Sequence, residues 1–266
     1  MWTVDRVRTG PLLERYSRED LAAISADDRR HLLIDGSADA QRDPGLAWEL
    51  LYRLEPELYD RLITAERLHP AVVRWLPNRV ERIVEVGAGS GRLTLELLSR
   101  CNELTAIEPA APLREILARK LERHVAIGAA SGHQPAQVRI IGGFLDALPV
   151  ASRSAELVVA CSVLTPEPSH GGNRGLAEME RVCARQGMVV IIWPNHPQWL
   201  SAHGYRYLSF AGDMAMEFAS ITEAIELARI FYPDAVDEIR RRGDRHVPYE
   251  VLGVNPPRDL AYKTIP

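Results

Sequence analysis

Between residues 46 and 68 the apolar side chains Leu46, Leu50, Leu51, Leu54, Leu58, Leu62 and Ile63 recur mostly three or four positions apart. That period gathers them on one side of an α-helix and predicts an amphipathic helical stretch. Helix-start signals surround it. Ser17 with Asp20, and Ser25 with Asp28, stand at capping-box spacing, while Pro44 after Asp43 and Pro56 after Glu55 occupy first-turn positions that tolerate a missing N–H. Residues 1–76 therefore read as a string of short helices forming an N-terminal cap. Its aromatic residues Trp48, Tyr52 and Tyr59 are read first as packing residues and, alternatively, as a lid closing over a substrate.

Past residue 77 the rhythm changes to strand, helix, strand. Branched apolar runs at 83–86, 103–109, 137–143, 157–162 and 188–193 predict buried strands, with helices from about residue 92, at 113–124 and at 176–184 between them. A polar loop of small residues is expected at 131–137. Residues 194–243 break the alternation as a helical insertion, with helices at 221–230 and 234–242, the second stopped by Gly243. The chain closes with apolar stretches at 247–254 and 260–265 around a turn at 255–258, which reads as a hairpin of two strands.

The chemistry concentrates where the first strand ends, in the run Ile83 to Leu93, IVEVGAGSGRL. The alternate glycines Gly87, Gly89 and Gly91 suit a sharp strand-to-helix turn, because they accept positive φ and let a ligand touch bare backbone. Arg92 stands where a dinucleotide fingerprint wants a third small residue, and this counts against NAD. The second strand ends in Glu108, about twenty residues beyond the glycine turn, where nucleotide-binding folds place the acceptor for ribose hydroxyls.

These residues resemble the first motif of the class I S-adenosylmethionine (SAM) dependent methyltransferases, matched here by Val84, Glu85, Val86, Gly87, Gly89 and Gly91. A second landmark of that family is matched by Gly143, Leu148, Pro149 and Val150, followed by Glu156, Leu157 and Val158. The resemblance implies a Rossmann-like, seven-stranded α/β sheet, mostly parallel with a C-terminal antiparallel hairpin and helices on both faces, over residues 77–266. It implies that the methionyl end of SAM lies over Gly87, Ala88, Gly89 and Gly91, with Glu85 helping to hold its ammonium. Glu108 and Pro109 fall at the ribose, and Cys161 and Ser162 pass beneath the cofactor. Phe144 stands where the family usually has an acid for the adenine amino group. It either stacks on the base, with the Leu145 N–H meeting adenine, or is a core residue; Asp146 is a displaced acid or a surface group.

Activity follows as methyl transfer by in-line displacement to an O, N, S or C nucleophile of a small-molecule acceptor. If that nucleophile is a hydroxyl, His170 and His196 are the candidate bases by location, after the fourth and fifth strands. RNA or protein methylation, and a SAM-fold protein that binds ligand without transferring methyl, remain as alternatives. The net charge of −4 and pI near 6.1 provide no global field for nucleic acid or anionic membranes. Three cysteines inside regular structure suggest reduced thiols in a cytoplasmic setting, and no targeting or membrane segment is expected. The eight histidines show no metal-binding spacing, so no metal is expected. Arg240 to Arg242 read as a solvated helix end, and Asn255-Pro256-Pro257-Arg258 as a turn.

Overall fold

The computed structural model describes residues 8–130 and 136–266. Seven strands form one sheet: β1 (Val80–Val86), β2 (Cys101–Ile107), β3 (Gln137–Ile141), β4 (Ala155–Cys161), β5 (Cys183–Ile192), β6 (Arg206–Ser209) and β9 (Asp259–Thr264). Their order is β3-β2-β1-β4-β5-β9-β6, so the chain winds outward from β1 in both directions. β1 to β5 are parallel, and β9 runs antiparallel to both of its neighbours. This is the Rossmann-like, mostly parallel sheet with an antiparallel pair at its C-terminal side.

Both faces of the sheet are covered, which is why its central strands read as unbroken apolar runs rather than alternating ones. One face sends Ile83, Leu104, Leu157 and Val159 against Val72 of α5 (Pro70–Trp75), Leu97 of α6 (Thr94–Leu97) and Leu117 of α7 (Ala111–Ala130). The other sends Val84, Val158, Val189 and Ile191 against Leu176, Met179 and Val182 of α8 (Gly172–Val182) and Leu200 of α9 (Pro197–Ala202). Each such side chain, fully withdrawn from water, contributes roughly 1.5–3 kcal/mol.

The cap is built from α1 (Leu12–Arg15), α2 (Ala26–His31), α3 (Pro44–Leu54) and α4 (Pro56–Ala65). Its own core gathers Leu12, Tyr16 and Ile24 with Leu46, Leu50 and Leu51, the first part of the helical stripe read from the sequence, while Leu62 of that stripe joins a second cluster. As expected, Ser17 with Asp20 closes a capping box; Ser25 makes only half of the expected one, its hydroxyl accepting from Asp28 N–H, and Asp43 caps its helix by accepting from Leu46 N–H.

Two local expectations change, and a third is not tested. The helix after the glycine turn is a single short one, α6, and α7 runs on to Ala130. Residues 131–135 of the expected polar loop lie outside the described residues. The antiparallel partner of β9 is β6, inside the span read as a helical insertion, and not the 247–254 stretch. That stretch instead supplies β8 (His246–Pro248), which pairs with β7 (Ala215–Glu217) in a separate two-stranded sheet, and α12 (Tyr249–Leu252). Tyr249 and Leu252 are drawn into a satellite core with Phe218, Leu227 and Ile239, which holds α10 (Ile221–Phe231) and α11 (Val236–Arg242). Burial in that cluster, rather than strand pairing, accounts for their apolar character. The arginines at the end of α11 pair with acids of the same helix: Arg240 with Asp237, and Arg241 and Arg242 with Glu238.

Candidate functional site

The glycine turn has the backbone its sequence called for: φ is +69° at Gly87, +55° at Gly89 and +101° at Gly91. Two successive amides, Gly87 N–H and Ala88 N–H, donate to the Ile107 carbonyl at 2.8 and 3.0 Å, which locks the turn to the end of β2. A Cβ at Gly87 would stand 2.6 Å from Val163 Cγ1, and one at Gly89 would stand 3.3 Å from the Tyr59 hydroxyl oxygen. Side chains are therefore excluded here both by conformation and by neighbours.

Glu108 completes the clasp. It is 5% exposed, and its two carboxylate oxygens accept from Gly89 N–H and Ala110 N–H, each at 2.9 Å. Burial pushes its carboxyl up to about 7 although both amides pull the other way. Each oxygen retains a lone pair after one bond, so two further donors fit, as the two hydroxyls of a ribose would supply. Glu85 lies buried behind the turn, pushed up to about 8 by burial with Thr94 opposing, and its Oε2 has no partner.

Glu108 faces a cavity of about 1200 Å³ at the carboxyl ends of β1, β2, β4 and β5. Of the residues expected at a cofactor, Gly87, Glu108, Pro109, Phe144, Leu145, Cys161 and Ser162 line it. Glu85, Ala88, Gly89 and Gly91 do not reach the cavity wall, and Tyr59 covers Gly89. His170 lines the cavity and packs against Gly45, where an added Cβ would lie 2.8 Å from its Cε1. His196 is exposed and away from the lining. Phe144 is on the cavity wall with one face taken: the His31 ring stacks on it at 4.4 Å and 7° between planes. Asp146 is neither a bare surface acid nor free, since Oδ1 lies 2.8 Å from His31 Nδ1.

The strand ends that open the cavity are strained. Ser162 and Trp193, directly after β4 and β5, take φ of +56° and +52°, a region costing non-glycine residues about 1–3 kcal/mol. Trp193 is held there by its N–H donating to the Asp259 carbonyl at 2.9 Å. Around it lies a polar group that sequence reasoning missed. Arg92 Nη1 meets Glu66 Oε2 at 2.6 Å, its Nη2 meets the Cys161 sulfur at 3.3 Å, and its guanidinium lies 5.4 Å from the Trp193 ring centroid. The Tyr232 hydroxyl donates to Glu66 Oε1 at 3.2 Å. Burial raises both the Glu66 carboxyl and the Cys161 thiol, with Arg92 opposing each. Arg92, read as a misfit in a dinucleotide loop, thus reaches across the cavity to the cap and the fourth and fifth strands.

The cap supplies the remaining wall. Trp48, Tyr52 and Tyr59 line the cavity as a mutual aromatic cluster, with Tyr52 and Tyr59 4.8 Å apart edge to face and Trp48 stacked on Phe231 of α10 at 5.4 Å. These residues thus pack on one another and also form part of the cavity wall. Only the position of Trp193, at the carboxyl end of a strand, carried a signal for the missed residues. His31, Glu66 and Tyr232 reach the site through docking of the cap and the insertion. Among the described residues, no group of three potential ligands could hold a metal ion.

Residues 84–191 match the family model described as a methyltransferase domain. An uncharacterized methyltransferase of Mycobacterium tuberculosis is 25% identical over 133 residues, 49% of this chain and 47% of that protein. One from Mycobacterium bovis matches to the same extent, 25% over 133 residues. The match spans about half the length of these relatives, 47%. Among solved structures, a putative methyltransferase of Bacillus halodurans is similar at a TM-score of 0.46 and 13% identity, covering 79% of this chain and 99% of that one. A putative methyltransferase of Haloferax volcanii, solved with the Trm112 methyltransferase activator, is similar at 0.45 and 12%, covering 94% and 99%.

Proposed function

We propose that the protein transfers a methyl group from SAM to a small molecule held in its capped cavity, a reading supported by the match of residues 84–191 to a methyltransferase domain model. The observation that carries this is that Glu108 and the roofing aromatics of the cap line one and the same space. Its volume of about 1200 Å³ exceeds the roughly 300–1,000 Å³ of a single small-molecule site, as a cofactor and an acceptor side by side would require.

The residues fit the cofactor. Glu108 has lone pairs left for ribose hydroxyls, the turn at Gly87 offers bare backbone, and Phe144 and Leu145 line the same cavity. When bound, SAM supplies a methyl group already activated on a sulfonium. What the chain contributes is position: holding the two reactants at the proper distance and angle is worth effective molarities of about 10⁵–10⁸ M. Where the acceptor must lose a proton to a side chain, the role falls to His170, which lines the cavity, before His196, which does not. The described lining contains one arginine and no lysine, which favours a small acceptor over the phosphates of RNA.

Calorimetric titration with SAM, S-adenosylhomocysteine and NADH tests this. The adenosyl ligands should bind in the micromolar range and NADH should not bind. Glu108→Ala should weaken both adenosyl ligands by more than about tenfold, as expected for the loss of a charge-assisted acceptor. Absence of adenosyl binding, or undiminished binding by Glu108→Ala, would overturn the reading.

A further inference from the structure

We infer that Glu49 of the cap accepts from the adenine amino group of the bound cofactor, so that selectivity for the base resides in the cap and not in the sheet; this rests on the methyl-transfer reading above. The base has a definite place to go. A ribose held by Glu108 stands at the end of β2, and the methyl group must point into the body of the cavity over β4 and β5, on the β1 side of that strand. The base leaves the ribose in the opposite direction, toward the end of β3, the other neighbour of β2. Phe144 and Leu145 follow β3 and line the cavity there.

Neither of those side chains can accept a hydrogen bond. Adenine would bring an exocyclic amino group with two N–H donors against a half-buried wall, where an unmet donor is costly. Two carboxylates besides Glu108 line the cavity near this end, Asp146 and Glu49. Asp146 is engaged: its Oδ1 lies 2.8 Å from His31 Nδ1, and its Oδ2 lies 3.7 Å from Arg174 Nη1. Glu49 is only half engaged. Its Oε2 accepts from Arg53 Nη1, whereas its Oε1 has no partner among the described residues and is not sealed from the cavity.

The cap fixes where Glu49 stands. Gly45, Trp48, Glu49 and Tyr52 recur three or four apart along α3 and all line the cavity, so one face of the helix is turned to it. Arg53 also donates to Asp28 Oδ2 at 3.1 Å, and Asp28 stands one turn before His31 on α2. A single chain of contacts thus runs from Glu49 through Arg53 and α2 to the His31 ring stacked on Phe144. On the other side Glu49 lies within electrostatic reach of Glu108, whose carboxyl it helps burial to push up. Burial raises the Glu49 carboxyl as well, with Arg53 and then His170 opposing. An amino donor at Oε1 favours the ionised form, which burial alone disfavours. Hypoxanthine in the same place would turn a carbonyl oxygen toward the carboxylate, setting two acceptors face to face.

The experiment titrates the full chain by calorimetry with S-adenosylhomocysteine and with S-inosylhomocysteine, which differs only in the keto oxygen that replaces the amino group and the proton on the adjacent ring nitrogen. At pH 8, on the side that favours the ionised carboxylate, the adenosyl ligand should bind at least about tenfold more tightly. Glu49→Gln keeps the side-chain shape, leaves Arg53 its bond to Asp28, and can turn an amide N–H₂ toward the keto oxygen. It should reduce the preference to within about threefold, mostly by weakening the adenosyl ligand. Equal binding of the two ligands by the unsubstituted chain would overturn the inference. So would a preference that survives Glu49→Gln, an equal loss of both ligands in that variant, which marks a structural role only, or a preference abolished by Asp146→Asn instead. Failure of the unsubstituted chain to bind S-adenosylhomocysteine at all would strike the methyl-transfer reading.

Discussion

At the scale of single residues, Glu108 decides the most. Burial holds its carboxyl near 7, so at pH 6 the free protein carries it largely protonated. Hydroxyl donors of a ribose, and the positive charge of SAM, favour the ionised form. Cofactor affinity should therefore rise as pH increases through about 7 and level off above it, with a proton released on binding on the acid side. Calorimetry in buffers of different ionisation enthalpy measures both. Glu108→Gln should bind more weakly and with a flatter slope, the remainder falling to Glu49, whose carboxyl is also raised by burial and which lines the same cavity.

At the scale of elements, the glycine turn and the strands around it were readable because their causes are local. Three glycines in alternation have few uses other than a turn at positive φ, and Ile83 to Val86 or Leu157 to Cys161 are apolar without a break because both faces are covered. Gly89→Val should abolish S-adenosylhomocysteine binding, since a β-branched side chain would have to adopt φ of +55° with Tyr59 3.3 Å from its Cβ. Retained binding, by the same titration, would show that the cofactor does not depend on this turn. β6 was not readable. It is four residues long, lies at the sheet edge and is mostly exposed, so its membership rests on backbone bonds to β9 that no side-chain pattern announces. The 247–254 stretch misled for the opposite reason, because its apolar residues serve a helix and a satellite core. Glu66 and His31 left no trace in the sequence because an acid or histidine on a cap helix becomes part of a site only once the cap docks.

At the scale of the whole molecule, the site is assembled from three parts of the chain: the sheet, the cap and the 194–243 span with α12 behind it. Trp48 binds two of them together by stacking on Phe231. Trp48→Ala should leave the sheet folded, lower stability by roughly 3 kcal/mol or less as its half-buried ring is lost, and weaken S-adenosylhomocysteine binding severalfold. Chemical denaturation and titration of the same preparation separate the two effects. An unchanged affinity would show that the cap does not enclose the cofactor.

The contact between cap and insertion also bears on how this cavity is able to diverge. Trp48 meets Phe231, and Arg61 of α4 is paired with both Glu223 and Glu226 of α10, at 3.0 and 2.9 Å. Both walls lie outside residues 84–191, the segment that matches the methyltransferase domain model. A change of acceptor through either wall alone would break its fit to the other, so the two are expected to be inherited as a pair. Chimaeras with a related enzyme should accordingly recover a closed cavity only when the cap and the insertion are exchanged together.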